Sequence, residues 1–122
     1  MVIRPFGTVT FLMSDIEGST RRWVEQPDTM RVALAKHDDV IADAVESNDG
    51  WLFRHTGDGF VAAFGSARSA IDAAIAAQRR LELPVRMGIC SGAVELRGDD
   101  YSGRADTGCG IDGVASRKRR PH

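Results

Sequence analysis

The sequence has few cysteines and almost no net charge. It therefore lacks the features typical of small disulfide-rich secreted proteins, of zinc-stabilised domains and of proteins that bind polyanions. Its two cysteines, Cys90 and Cys109, lie 19 residues apart, with no second pair and no histidine at ligand spacing. That arrangement excludes a zinc ribbon and gives little support for a disulfide framework, so a reducing cytoplasm is the expected compartment. The formal net charge is −1, so the chain lacks the positive charge that attracts nucleic acid or an anionic membrane.

Long apolar runs are also missing. No stretch approaches the roughly 18–20 apolar residues that a membrane-spanning helix needs. The segment 1–15 contains a short apolar run that ends at a carboxylate, whereas a secretory signal has a longer apolar region and a small-residue cleavage site. With 122 residues, the chain has room for one small domain. We therefore expect a soluble, cytoplasmic domain that has neither a membrane nor nucleic acid as its partner.

Hydrophobic periodicity divides most of the chain into strands and helices. We predict a strand over 8–13, a helix over 30–47, a hairpin of strands 51–55 and 60–64, a helix over 66–81, and a strand over 85–90 that turns at 91–92 into 93–96. The order β-α-β-β-α-β(-β) is typical of an α+β, ferredoxin-like (palm-type) fold, with helices on one face of an antiparallel sheet. Ser66 is the expected N-cap of the second helix.

Two aspartates stand out by their positions. Asp15 follows the first strand, and Asp58 lies in the turn of the predicted hairpin. We expect the first strand to lie beside the first strand of the hairpin, which would bring both carboxylates to one edge. Paired hard oxygen ligands, with glycines that let phosphate approach, suit Mg²⁺ or Mn²⁺ and a nucleoside triphosphate. The alternative is that Asp15 caps a helix and Asp58 only forms a turn.

The residues after Asp15 favour phosphate binding. Gly18, Ser19 and Thr20 precede a predicted helical segment, and backbone N–H groups at a helix N-terminus are a natural seat for phosphate oxygens. The serine and threonine are also suited to cap that helix. This segment therefore predicts a phosphate site next to the first aspartate.

Four segments resemble the motifs of class III nucleotidyl cyclases, especially the actinobacterial type. In chain order they are Thr8–Thr20 (TVTFLMSDIEGST), Phe53–Phe60 (FRHTGDGF), Val85–Gly92 (VRMGICSG) and Glu95–Gly103 (ELRGDDYSG). Their order and spacing match over residues 8–103, and the Gly-Gly-Asp/Glu-Glu-Phe signature of diguanylate cyclases is absent. The resemblance implies an adenylate cyclase that converts ATP to 3′,5′-cyclic AMP and pyrophosphate by a two-metal mechanism, in cyclic nucleotide signalling.

The resemblance implies a role for each matching residue. Asp15 and Asp58, with the carbonyl of Ile16, would hold two Mg²⁺ or Mn²⁺ ions. Arg86 matches an arginine that contacts the departing phosphates, the alternative being an exposed strand arginine. The phosphates would also contact the segment 18–20.

Base selection would fall to two further residues. Arg54 stands where the family usually has a lysine that reads adenine, and Asp100 stands at the place of its acidic partner. Arginine keeps the charge but adds bulk and a planar fork, and a guanine-specific enzyme would carry glutamate instead of Arg54. ATP is therefore the expected substrate. In this family the metal ligands and the base-reading groups come from different subunits, which implies a homodimer or a heterodimer with another cyclase-like domain.

The family pattern fails after Gly103. The family has an asparagine four residues on and an arginine four residues later, and that arginine stabilises charge on the transferring phosphate. The counted positions hold Thr107 and Ile111, and a six-residue shift recovers Arg117 as the catalytic arginine but leaves Gly113 in place of the asparagine. We therefore expect cyclase activity to be impaired.

The resemblance divides the chain into two parts. Residues 1–103 are expected to form a partial cyclase homology domain whose sheet is incomplete at the C-terminus. Residues 104–122 are expected to be a divergent, disordered basic tail, arising from a frameshift or premature stop or belonging to a short protein that has shed catalysis. The alternative function is a non-catalytic cyclase-like module for dimerisation or nucleotide binding, or a pseudogene product.

Overall fold

The computed structural model describes residues 5–56, 59–97 and 100–102. Within these ranges the elements are, in chain order, β1 (Gly7–Ile16), α1 (Ser19–Glu25), α2 (Pro27–Ser47), β2 (Trp51–Thr56), β3 (Gly59–Phe64), α3 (Ala67–Arg80), β4 (Val85–Arg97) and β5 (Asp100–Ser102). This order confirms the α+β, ferredoxin-like pattern. None of the helices in the described ranges combines the length and the apolar character that crossing a membrane requires.

The strands form an antiparallel sheet in the order β2-β3-β1-β4-β5. Strand β1 is central and pairs with β3 on one side and with β4 on the other. The expectation that β1 lies beside the first hairpin strand is therefore wrong. In a split βαβ unit the helical connection carries the chain past one strand position, and the second hairpin strand then fills that gap.

The helices pack on one face of the sheet. Because successive side chains of a strand point to opposite faces, one set from β1 and β3 meets α2 and α3. The buried members of this cluster are Leu12, Val40, Ile41, Ala44, Val45, Phe60, Ala62, Phe64, Ala70, Ala73 and Ala77. Three of the six alanines of α3, Ala70, Ala73 and Ala77, are at most 1% exposed, so a small residue at these positions lets the helix approach the sheet closely.

The opposite face of the sheet carries a second apolar cluster. Its buried members are Val9, Phe11, Met13, Trp51, Val61 and Ala63, and within the described ranges all of them are strand residues. Aromatic rings from β1 and β2 meet here: the centroids of Phe11 and Phe53 are 5.9 Å apart, in an edge-to-face arrangement. Asp15 continues the β1 side of this face, two residues beyond Met13.

Two local expectations are corrected by the backbone. Strand β4 does not turn at Ser91, because Ser91 pairs with Thr10 of β1 and the two hydroxyl oxygens are 2.7 Å apart. Helix α1 has no serine or threonine cap, since its N-cap is Gly18, without a side-chain hydrogen bond. The predicted cap of α3 is confirmed: the Ser66 hydroxyl accepts a hydrogen bond from the backbone N–H of Ser69 at 3.1 Å.

Candidate functional site

Asp15 lies at the end of the central strand, between two different neighbours. It pairs with Arg86 of β4 on one side and with Gly59 of β3 on the other. Residues directly opposite each other in a sheet present their side chains on the same face, so the carboxylate of Asp15 lies beside the guanidinium of Arg86. The glycine on the other side has no side chain to compete for the same space.

Arg86 binds the Asp15 carboxylate with two hydrogen bonds. Its Nε donates to Oδ1 at 3.1 Å and its Nη2 donates to Oδ2 at 2.7 Å. The Asp15 side chain is 15% exposed, whereas that of Arg86 is 64% exposed. The hydrogen bonds to Asp15, followed by its charge, raise the pKa of Arg86 above its usual value, and Glu17 adds to this effect.

The turn after β1 is fixed by backbone hydrogen bonds. The N–H of Glu17 donates to the carbonyl of Pro84 at 2.9 Å, which ties the turn to the residue before β4. Gly18 then takes a left-handed conformation (φ 64°, ψ 26°), and α1 begins at Ser19. The predicted phosphate segment 18–20 thus begins three residues after Asp15, at the same end of the sheet.

Ile16 is the last residue of β1, and its side chain is 2% exposed. A buried alkyl group cannot bind a cation, so any ligand from Ile16 must be its main-chain carbonyl. The oxygen donors of this residue and of Asp15 suit a hard divalent cation. The fit of these donors to Mg²⁺ or Mn²⁺ rests on their being hard oxygen ligands, and both oxygens of the Asp15 carboxylate accept hydrogen bonds from Arg86 in this structure.

Arg54 reaches the same face of the sheet as Asp15 through an irregularity in β2. The β2–β3 register shifts between Leu52 and Arg54, so that Arg54 pairs with Val61, which itself pairs with Met13 of β1. Without this bulge at Phe53 the alternation along β2 would turn Arg54 to the helix-covered face. The guanidinium carbon of Arg54 lies 5.7 Å from the centroid of the Phe53 ring.

The remaining predicted site residues are not brought together by the described structure. Asp100 begins β5, at the opposite end of the strand order from the β2 strand that carries Arg54. Asp58 and Arg117 lie outside the described residues, although Asp58 precedes Gly59, the partner of Asp15. Among the described residues, no group of three or more His, Cys, Asp or Glu side chains could hold a metal ion.

Sequence reasoning missed a polar cluster between α2 and β2. The Nδ1 atom of His37 and the Nε2 atom of His55 lie 2.9 and 3.2 Å from the same carboxylate oxygen of Asp38. His37 is 3% exposed. No sequence motif predicts this cluster, because its members come from two elements that meet only in the fold.

A second difference from the sequence analysis concerns Cys90. This cysteine is disulfide-bonded, contrary to the expectation from cysteine spacing.

In sequence, the chain is similar to an uncharacterized mycobacterial protein and to parts of several adenylate cyclases. No protein-family model matches it. An uncharacterized protein of Mycobacterium tuberculosis is 39% identical over 103 residues, which cover 81% of this chain and 36% of that protein. The adenylate cyclase of Neurospora crassa is 31% identical over 77 residues, which cover 63% of this chain and 3% of that enzyme. The chain therefore spans about a third, or much less, of the length of these relatives.

Comparison of structures gives the same result for the fold. A solved adenylate cyclase of Trypanosoma brucei matches with a TM-score of 0.80 and 25% identity, over 88% of this chain and 68% of that chain. Further solved neighbours, with TM-scores of 0.67 to 0.74, are adenylate and guanylate cyclases less than 25% identical and bear on the fold alone. In its sequence motifs and in its fold, this chain is a cyclase-like domain similar to the class III adenylate and guanylate cyclases.

Proposed function

We propose that this chain is an adenylate cyclase-like domain that binds ATP together with Mg²⁺ or Mn²⁺ at the Asp15 end of its sheet. The observation that carries the proposal is the register of β1, in which Asp15 has Arg86 on one side and Gly59 on the other. At this strand end the carboxylate of Asp15 offers a ligand for a cation, and the guanidinium of Arg86 offers a ligand for phosphate. Gly59 has no side chain and so leaves room for the nucleotide.

The chain's own residues have separate roles in this proposal. Asp15 and Asp58, with the carbonyl of Ile16, hold two divalent ions, and the segment 18–20 and Arg86 bind the triphosphate. Such ions, when bound, make the ribose 3′-hydroxyl more acidic and neutralise charge on the phosphates. Residues 1–103 form the cyclase-like unit.

Adenine recognition is assigned to Arg54 and Asp100. Because β2 and β5 are the first and last strands of the sheet order, these two residues are not neighbours in the sheet. We propose that the site is completed by a second cyclase-like domain, in a homodimer or a heterodimer, so that the metal ligands of one subunit face the base-reading groups of the other.

Catalysis is proposed to be impaired. Removal of a single transition-state electrostatic donor typically lowers the rate by about 10²–10³-fold. The positions expected to supply an asparagine and an arginine hold Thr107 and Ile111, and Arg117 is the one candidate for the catalytic arginine. These substitutions also favour a second candidate function, a non-catalytic module for nucleotide binding or dimerisation.

A nucleotide-displacement assay with a parallel activity measurement tests the proposal. A fluorescent ATP analogue bound in the presence of Mn²⁺ should be displaced by ATP more readily than by GTP. Cyclic AMP, measured in the same samples, should be absent or close to the detection limit. Failure of the analogue to bind would contradict the nucleotide site, whereas substantial cyclic AMP production would contradict only the impairment.

A further inference from the structure

The two side chains of the Asp15–Arg86 ion pair differ in exposure to solvent, and therefore in the cost of losing the partner. The Asp15 side chain is 15% exposed, while the Arg86 side chain is 64% exposed. A largely buried carboxylate without a partner is costly, because water cannot fully replace the lost hydrogen bonds. A largely exposed guanidinium can be hydrated as soon as it is released. Asp15 therefore needs a cation at this position, whereas Arg86 can leave.

Arg86 and a divalent cation would bind to the same carboxylate oxygens, those of Asp15. Both Asp15 oxygens already accept a hydrogen bond from Arg86, at 3.1 and 2.7 Å. A metal ion binds a carboxylate oxygen at about 2.1 Å, so it would lie within about 5 Å of the guanidinium nitrogen on that oxygen. Two cations at this separation repel each other, and partial burial strengthens the repulsion. The observed position of Arg86 therefore opposes the binding of a divalent ion at Asp15.

A second carboxylate lies within reach of the arginine. Glu17 Oε1 is 4.0 Å from Arg86 Nε, and the Glu17 side chain is 54% exposed. A guanidinium that leaves Asp15 therefore remains close to a negative charge at the edge of the site. In that position it can also meet the oxygens of a bound phosphate, which accept arginine in a bidentate manner.

We propose that Arg86 is the resident counter-ion of Asp15 and that a divalent cation must displace it to bind there. The inference rests on the proposed function, since it takes Asp15 as a metal ligand. The inference adds that nucleotide assists metal binding. The cation alone competes with Arg86 for the Asp15 carboxylate, and a bound triphosphate relieves this competition because its oxygens accept hydrogen bonds from the guanidinium. Metal and nucleotide affinities are therefore coupled through this arginine, and the coupling is reciprocal.

Titration of Mn²⁺ into the whole chain without nucleotide, followed by electron paramagnetic resonance of the free ion, tests the proposal. Arg86→Gln should bind Mn²⁺ about two- to fivefold more tightly than the wild type, the range expected for loss of a competing, largely exposed ion pair. Arg80→Gln is the matched control, because Arg80 pairs with Asp43 at 2.6 Å on the helical side of the molecule. The control removes the same charge and should leave the Mn²⁺ affinity unchanged.

The same titration with ATP present tests the coupling. Addition of ATP should raise the Mn²⁺ affinity more in the wild type than in Arg86→Gln, because the variant has no competitor left to remove. Arg86→Lys keeps the charge but loses the bidentate geometry, so it should give an intermediate Mn²⁺ affinity, and it provides the test if Arg86→Gln does not fold.

Two outcomes separate the inference from the function on which it rests. Equal or weaker Mn²⁺ binding by Arg86→Gln, in a chain whose wild type binds Mn²⁺ with ATP, would overturn the counter-ion role and leave the site intact. If no form of the chain bound Mn²⁺, with or without ATP, the metal site at Asp15 would fail and the proposed function with it.

Discussion

Asp15 and Arg86 face each other across β1 and β4, and the guanidinium donates to both oxygens of the carboxylate. Their pairing is a property of backbone register, since neighbouring pairs on the same two strands, from Gly7 with Val94 to Ile16 with Val85, follow without a shift. The ion pair thus follows from ten consecutive residues of β1 being in register with β4. The same register aligns the strand ends at which we locate the site.

Gly18→Ala should destabilise the chain by about 1–2 kcal/mol, the usual cost of a left-handed conformation for a residue with a Cβ atom. Gly18 has a φ of 64°, and an added Cβ would meet nothing within 4 Å, so the cost comes from the backbone conformation and not from a steric clash. Urea unfolding of the variant measures this loss. Gly65→Ala is the control, because its added Cβ also meets nothing and its φ is not positive. Equal stabilities of the two variants would contradict the left-handed turn.

Gly50→Ala should destabilise the chain for a different reason. A Cβ atom at this position would clash with the ring of Phe64, which is fully buried. Overpacking of this kind costs about 1–3 kcal/mol. The double variant Gly50→Ala with Phe64→Leu removes the ring edge and should lose less stability than the sum of the single variants. Additive losses in urea unfolding would mean that the two residues do not touch.

Ser66→Ala should lower the free energy of unfolding by about 1 kcal/mol, because it removes the side-chain acceptor that caps α3. Ser66→Asp should retain most of the stability, since a carboxylate accepts the same hydrogen bond from the N–H of Ser69. Ser47→Ala, at the exposed last residue of α2, is the control. If Ser66→Ala and Ser47→Ala unfolded at the same urea concentration, the capping interaction would not contribute to stability.

Local elements were the part of the fold that could be predicted from the sequence. The hairpin and both long helices follow from apolar periodicity, and Ser66 caps α3 as expected, because these features depend on residues close in the chain. The neighbour of β1 and the continuity of β4 through Ser91 could not be predicted, because both are decided by pairing with distant residues.

The candidate site was predictable to the same extent. The motif around Asp15 identifies one end of β1, and the resemblance names Arg86. The direct contact between these two residues depends on the β1–β4 register, which no local pattern encodes. The face reached by Arg54 depends on a bulge in β2 that alternation would not suggest.

Calorimetric titration of ATP in the presence of Mn²⁺ tests the central claim, that Asp15 lies at a metal–nucleotide site, most directly. Asp15→Asn removes the charge of the side chain while keeping its shape, and the ATP affinity should fall by at least about tenfold. Loss of a residue that only hydrogen-bonds to a metal ligand already has an effect of that size. Asp72→Asn, which removes a carboxylate paired with Arg68 on α3, should bind as the wild type does. Equal affinity of wild type, Asp15→Asn and Asp72→Asn would contradict the site.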